Sequence, residues 1–238
     1  MLNYTRKGSG EVVVLVHGFL GSTSIFDEIM EPLTKCFDVI AIDLPGHGKS
    51  EAPEGDYTVY QYAEDIIDIL TLEKVERSYW IGHSMGGYIT LAAIEKQYTN
   101  IEKAVLLYSS DAPDTPEAIE KRAKQQEEIL LHGVGPFVDG IIHNFLAPNA
   151  DAEDVLFAKE VAYEANAEGL VTALGAMKSR PNQKDLMDTT STPILVIEPI
   201  VTSNPHVKKV KTNTGHLGML EDSKSVTREI LNFLNEEN

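Results

Sequence analysis

Ser78-Tyr79-Trp80-Ile81-Gly82-His83-Ser84-Met85-Gly86-Gly87-Tyr88-Ile89-Thr90-Leu91-Ala92-Ala93-Ile94 runs from an apolar strand-like segment into a helix-like one, with a serine at the junction. The junction reads Gly-x-Ser-x-Gly, a nucleophile elbow. A serine squeezed between a strand and a helix has its hydroxyl exposed at the edge of a sheet, and the turn demands strained backbone angles. Gly82, Gly86 and Gly87 are small enough for a turn in which a Cβ would clash. The helix that follows points its N-terminus at Ser84, where the positive end of the helix dipole favours a developing oxyanion.

The same alternation repeats on either side. Val12-Val13-Val14-Leu15-Val16, ended by His17-Gly18, reads as a buried parallel strand. Phe26 to Lys35 reads as a helix, and Phe37 to Ile42 as a strand ended by Asp43-Leu44-Pro45-Gly46-His47-Gly48. Tyr60 to Leu72 has Tyr62, Ile66, Ile69 and Leu70 on one helical face. Ala104 to Tyr108, Ile194 to Ile197 and a weaker Val207 to Val210 run supply further strands, and Val226 to Leu234 reads as a closing helix. The pattern predicts an α/β fold, a mostly parallel central sheet flanked by helices. Between Asp111 and Thr192 the strand pattern stops, and helical stretches run over 116–131, 135–145, 151–167 and 169–177. One crossover rarely needs so many helices. Residues 111–192 are therefore expected to form a helical cap inserted into a core made of 1–110 and 193–238.

The chain has 238 residues, enough for a single domain of this class, and 42% of them are hydrophobic. Lys plus Arg number 20 against 37 Asp plus Glu, a net charge of −17. That balance argues against nucleic acid and anionic membrane surfaces as partners, and its plainest meaning is solubility. Cys36 is the sole cysteine, which excludes an internal disulfide and fits a reducing compartment. Its place at the end of a helix-like segment suggests a packing role. Met1 to Lys7 holds no apolar signal core, and no apolar run approaches the roughly 20 residues of a membrane span. The expectation is a soluble, cytoplasmic protein. No His-Glu-x-x-His or Cys-x-x-Cys spacing is present, so no metal site is expected. Nothing in the sequence sets the oligomeric state.

Four motifs in order carry a family resemblance: His17-Gly18-Phe19-Leu20-Gly21-Ser22, Asp43-Leu44-Pro45-Gly46-His47-Gly48-Lys49-Ser50, the Ser84 elbow, and Gly215-His216-Leu217-Gly218-Met219-Leu220-Glu221. The chain resembles the α/β-hydrolase superfamily in its capped, single-domain bacterial branch, over nearly its whole length. The resemblance implies Ser84 as nucleophile and His216 as general base, later the acid that protonates the leaving group. It implies the backbone N–H groups of Phe19 and Met85 as the oxyanion hole, with Phe19 also in the pocket wall. His17 and His47 are expected to hold loops and His83 to pack or orient the elbow, while His132, His143 and His206 lie outside any motif.

The resemblance breaks near residue 198. The family usually carries an aspartate in a Gly-x-x-Asp turn after the strand matching Ile194 to Ile197, and that carboxylate orients the histidine. Here the strand meets Glu198-Pro199-Ile200-Val201-Thr202-Ser203, and no aspartate lies between Asp188 and Asp222. Against usual loop and helix lengths, about a dozen or more residues are lacking. Asp111, after the Ala104 strand, and Glu198 are equal candidates for the acid, both preserving the order Ser, acid, His. Asp114 fits a helix start better.

The resemblance implies a serine hydrolase that cleaves a small or medium carboxylic ester, a small-molecule substrate, through an acyl-enzyme on Ser84, with no cofactor. Two alternatives stay open. The first two motifs also resemble the menaquinone-pathway synthase that eliminates pyruvate, although that branch has Tyr before the serine and Arg after Gly-Gly, where this chain has His83 and Tyr88. The missing acid also leaves room for a catalytically degenerate ligand-binding protein.

Overall fold

A computed structural model describes residues 2–236. Seven strands form its sheet: β1 (Tyr4–Gly8), β2 (Val12–Val16), β3 (Asp38–Ile42), β4 (Arg77–His83), β5 (Asn100–Leu107), β6 (Ile194–Ile197) and β7 (Val207–Val210), in the order β1-β3-β2-β4-β5-β6-β7. Every neighbouring pair is parallel except β1 with β3. The central strands are apolar throughout because helices cover both faces; Val13, Val14, Leu15 and Val16 are wholly buried. β1 has no such signature: its Tyr-Thr-Arg-Lys run is half exposed, and it lies at the edge. Arg6 on β1 pairs with Asp38 and Glu73.

Helices α1 (Asp27–Thr34), α2 (Val59–Leu72) and α3 (Met85–Lys96) follow β2, β3 and β4. α2 begins with a capping box in which Thr58 and Gln61 satisfy each other's backbone N–H groups. α3 buries almost its whole length, which accounts for its Gly-Gly-Tyr-Ile-Thr-Leu-Ala-Ala composition. Cys36 corrects an expectation: α1 ends at Thr34, so Leu33 and Phe37 take the buried positions and the thiol is exposed in the turn beyond.

Between β5 and β6 run α4 (Pro116–His132), α5 (Val134–Ile141), a 3-10 turn (Ile142–Phe145), α6 (Ala152–Tyr163), α7 (Ala167–Lys178) and α8 (Lys184–Thr189). α8 is one and a half turns long, too short for periodicity to reveal. The inserted helices dock on the core where Gly169 meets Gly46. A Cβ on Gly46 would lie 2.2 Å from the Gly169 Cα, and Asn166 N–H donates to the Gly46 carbonyl at 3.1 Å.

Residues 198–206 alone join β6 to β7. Parallel neighbours usually need a dozen or more residues and a helix. Here the crossover is a coil pinned to α8: the Asn204 amide donates to the carbonyls of Met187 (2.8 Å) and Thr190 (2.9 Å), and Thr202 donates to Asp188. α9 (Gly218–Glu221) and α10 (Ser223–Leu234) close the described chain, and the buried Lys103 ammonium caps the carbonyls of Phe233 and Leu234. Among the described residues no helix is long and apolar enough to cross a membrane.

Candidate active site

Ser84 sits between β4 and α3 with φ 52° and ψ −113°, a left-handed conformation that costs a non-glycine residue free energy. Three hydrogen bonds hold it there. Ser84 N–H donates to the Leu107 carbonyl (2.9 Å), while the Ser84 carbonyl accepts from Gly87 N–H (2.9 Å) and the Ser109 hydroxyl (2.8 Å). The flanking glycines are dictated by close approach. A Cβ on Gly82 would lie 2.4 Å from the Gly86 carbonyl oxygen, and one on Gly86 would lie 2.0 Å from that of Val16.

The Ser84 hydroxyl is 2.8 Å from Nε2 of His216. Burial lowers the His216 pKa to about 4, so the ring is neutral at physiological pH and able to accept the serine proton. Its backbone is held from two sides. His83 Nε2–H donates to the His216 carbonyl at 2.9 Å. The Glu221 carboxylate accepts from Gly215 N–H (3.0 Å) and Ala147 N–H (2.9 Å), tying the histidine loop to the inserted helices. The role of Glu221 had no signature in the sequence beyond its place five residues after the histidine. His83 thus holds the His216 backbone as well as packing beside the elbow.

His17 organises the opposite wall. Leu44 N–H donates to His17 Nε2 (2.9 Å), which leaves Nδ1–H to donate to the Gly18 carbonyl (2.8 Å). One buried ring thus joins the Phe19 loop to the Asp43 loop. His47 Nδ1 bonds the Pro45 carbonyl at 3.1 Å. Burial lowers the pKa of His17 to about 4 and of His47 to about 3, so both are neutral struts. Among the described residues no backbone or side-chain group accepts a hydrogen bond from the N–H of Phe19 or Met85. Met85 is the first residue of α3, where N–H groups have no intrahelical partner.

Neither acid candidate reaches His216. Asp111 packs toward α8: its backbone carbonyl accepts from Gln183 N–H, and the charges that act on its carboxyl, itself raised by burial, are Lys184 and Asp188. The Glu198 carboxylate accepts from Thr212 N–H at 2.8 Å. Behind His216 stands a hydroxyl triangle instead, in which Tyr108 meets Thr212 (3.1 Å) and Thr214 (2.9 Å), themselves 3.0 Å apart. The Tyr108 and His216 rings lie 6.2 Å apart, centroid to centroid. No group among the described residues hydrogen-bonds to His216 Nδ1, and burial alone shifts its pKa. Asp114, read as a helix start, instead pairs with Arg122 and Arg180, and Thr115 caps α4.

A cavity of about 410 Å³ opens onto Ser84 and His216. Its roof is the inserted segment, with Gln125 on α4, Ile141 on α5, Phe145 and Met177; Phe19 and Tyr88 form its floor. The size suits a small ligand. This arrangement can activate a hydroxyl for attack and present two N–H donors to a developing oxyanion.

Comparisons with known proteins find the same fold elsewhere. The family description "alpha/beta hydrolase fold" matches residues 11–140, which contain the elbow and the Phe19 loop. A 2-(acetamidomethylene)succinate hydrolase of Mesorhizobium japonicum is 28% identical over 209 residues, 82% of this chain and 73% of that protein. A thermophilic esterase from Thermogutta terrifontis, in a malate-bound structure, superposes with a TM-score of 0.91 at 27% identity, covering 98% of this chain and 92% of that one. MenH from S. aureus shares the fold with a TM-score of 0.85 at 21% identity, over 98% of this chain and 97% of that one.

Proposed function

The chain belongs to the alpha/beta hydrolase fold family, and from that premise we propose that it is a serine hydrolase cleaving a small or medium carboxylic ester. The carrying observation is the 2.8 Å contact between Ser84 Oγ and His216 Nε2 at the floor of the cavity. In this reading Ser84 Oγ attacks the ester carbonyl as its proton passes to His216 Nε2. The N–H groups of Phe19 and Met85 hold the oxyanion. The His216 imidazolium then protonates the departing alkoxide, and water, activated by the same ring, releases the acid and restores Ser84. The inserted helices act as a cap that encloses the substrate. The esterase from Thermogutta terrifontis and the hydrolase from Mesorhizobium japonicum support a hydrolytic reading.

A second reading, a ligand-binding protein on this fold, has one observation in its favour: no carboxylate among the described residues bonds His216. Hydrolysis of 4-nitrophenyl butyrate separates the two. Turnover that vanishes in Ser84→Ala, with a burst of nitrophenol in the wild type, supports the hydrolase. Turnover indifferent to Ser84→Ala, or none at all across short-chain esters, rejects it. Pyruvate release from the menaquinone precursor would instead indicate elimination chemistry on the same pair.

A further inference from the structure

The charge of the cavity runs against that of the chain. The protein carries a net charge of −17, yet the charged side chains lining the cavity are Lys121 and Arg122, and no aspartate or glutamate lines it among the described residues. Both cations lie on α4, above the reacting pair. Lys121 has no ion-pair partner among the described residues.

Arg122 is held in place. Its Nε donates to Asp114 Oδ2 at 2.5 Å, and its Nη2 makes a longer contact with Oδ1 at 3.4 Å. Asp114 also binds Arg180, whose guanidinium donates to the Ala112 and Met177 carbonyls and stacks 4.3 Å above the Tyr88 ring. One carboxylate therefore serves two guanidinium groups, and the cluster keeps one uncompensated positive charge beside the Lys121 ammonium. Asp114 occupies the Nε and Nη2 edge of Arg122, and no bond from its Nη1 is formed within the described residues. That donor and the lysine ammonium, both in the lining, are the cationic groups open to an anion in the cavity. Gln125 and Asn144 add neutral hydrogen-bonding groups, while the rest of the lining is largely apolar.

We propose that Lys121 and Arg122 form a carboxylate subsite, and that the substrates of this cavity are esters bearing a free carboxylate, the half-esters of small dicarboxylic acids among them. The proposal rests on the hydrolase reading for the word ester and on the cavity alone for the anion. A charge-assisted contact of this kind is roughly twice as strong as a neutral one, and an anion held by two of them gains about tenfold or more over its neutral isostere.

The test measures binding without turnover. The Ser84→Ala protein is titrated calorimetrically with monomethyl glutarate and with dimethyl glutarate at low salt. The wild type is assayed in parallel on the mono-4-nitrophenyl ester of glutaric acid and on 4-nitrophenyl pentanoate. Tighter binding of the half-ester by about tenfold, reversed by Lys121→Glu in the same background, is the expected result. Lys121 is exposed, so the substitution leaves the core intact. Equal binding of the two glutarates, or a preference that survives Lys121→Glu, overturns the subsite. Absent turnover of both nitrophenyl esters with the binding preference intact overturns the hydrolase reading and leaves the subsite standing.

Discussion

The two sides of the Ser84–His216 pair are built differently. On the Ser84 side the central strands β2, β4 and β5 converge, and every atom that fixes the Ser84 backbone is backbone or a buried hydroxyl. The glycine contacts there leave no room for a Cβ at Gly82 or Gly86, and the strained serine is held by the packed surroundings. On the far side, toward the sheet edge at β6 and β7, a coil crossover replaces the usual helix, Glu198 is engaged with Thr212, and hydroxyl groups stand behind His216. His216 is therefore held through the backbone of its loop, by His83 and Glu221, rather than through its ring by an anion. In the proposed reaction, a ring held this way keeps its geometry but has no negative charge to stabilise an imidazolium in the transition state.

Substitutions can break that contrast, the largest effects falling at its centre. Ser84→Ala and His216→Ala should each lower kcat/KM for a nitrophenyl ester by about a thousandfold or more. If either variant retains more than a tenth of wild-type turnover, the pair is not the reacting one. Glu221→Gln and His83→Phe should come next, each lowering kcat by roughly tenfold with KM little changed, since they misplace the base by fractions of an ångström. Circular dichroism on both variants guards against an unfolded protein being read as a mispositioned one.

The pH dependence sharpens the same contrast. A histidine of pKa about 4 is already neutral at pH 5, so kcat/KM should rise through about pH 4 and stay level to pH 8. An acidic limb near 6.5 would mean that something offsets the effect of burial on His216. Stability moves in the same direction. His17, His47 and His216 all have pKa values lowered by burial, to about 4, 3 and 4, so the unfolded chain binds more protons than the native one below pH 6.5. Their contribution is fully present above that value and is lost as the pH falls through 4 toward 3. Thermal melts at pH 7, 5.5 and 4 should show a falling Tm, and a Tm flat across that range would contradict the neutral, buried struts.

The smallest effects belong to the edge. Asp111→Asn and Glu198→Gln should change kcat by less than about threefold, far below the loss of about ten-thousandfold that removal of a working triad carboxylate can bring. A tenfold or greater loss in either would show that the carboxylate reaches His216 during catalysis.

The division between centre and edge also governs what the sequence makes legible. Strand periodicity and glycine spacing are local, so the parallel core, the elbow and the histidine motif could be read from residues within a few positions of one another. The features that escaped depend on contacts across space. Glu221 acts through Gly215 and Ala147, His83 through a carbonyl far along the chain, and the Arg122–Asp114–Arg180 cluster joins α4 to the end of α7. β1 and Cys36 escaped for a simpler reason: an edge strand and a turn residue face solvent, where apolar patterning says little. The acid position illustrates both causes, because an order along the chain cannot say which carboxylate a short crossover turns inward.

The most direct test of the central claim is the rate of labelling by a fluorophosphonate, followed by intact mass, on the wild type, Ser84→Ala, His216→Ala and the Asp111→Asn/Glu198→Gln double variant. One label per chain is expected on the wild type and on the double variant at similar rates, and none on the other two. Labelling that survives Ser84→Ala would place the nucleophile elsewhere. Labelling lost in the double variant would show that an acid does support His216.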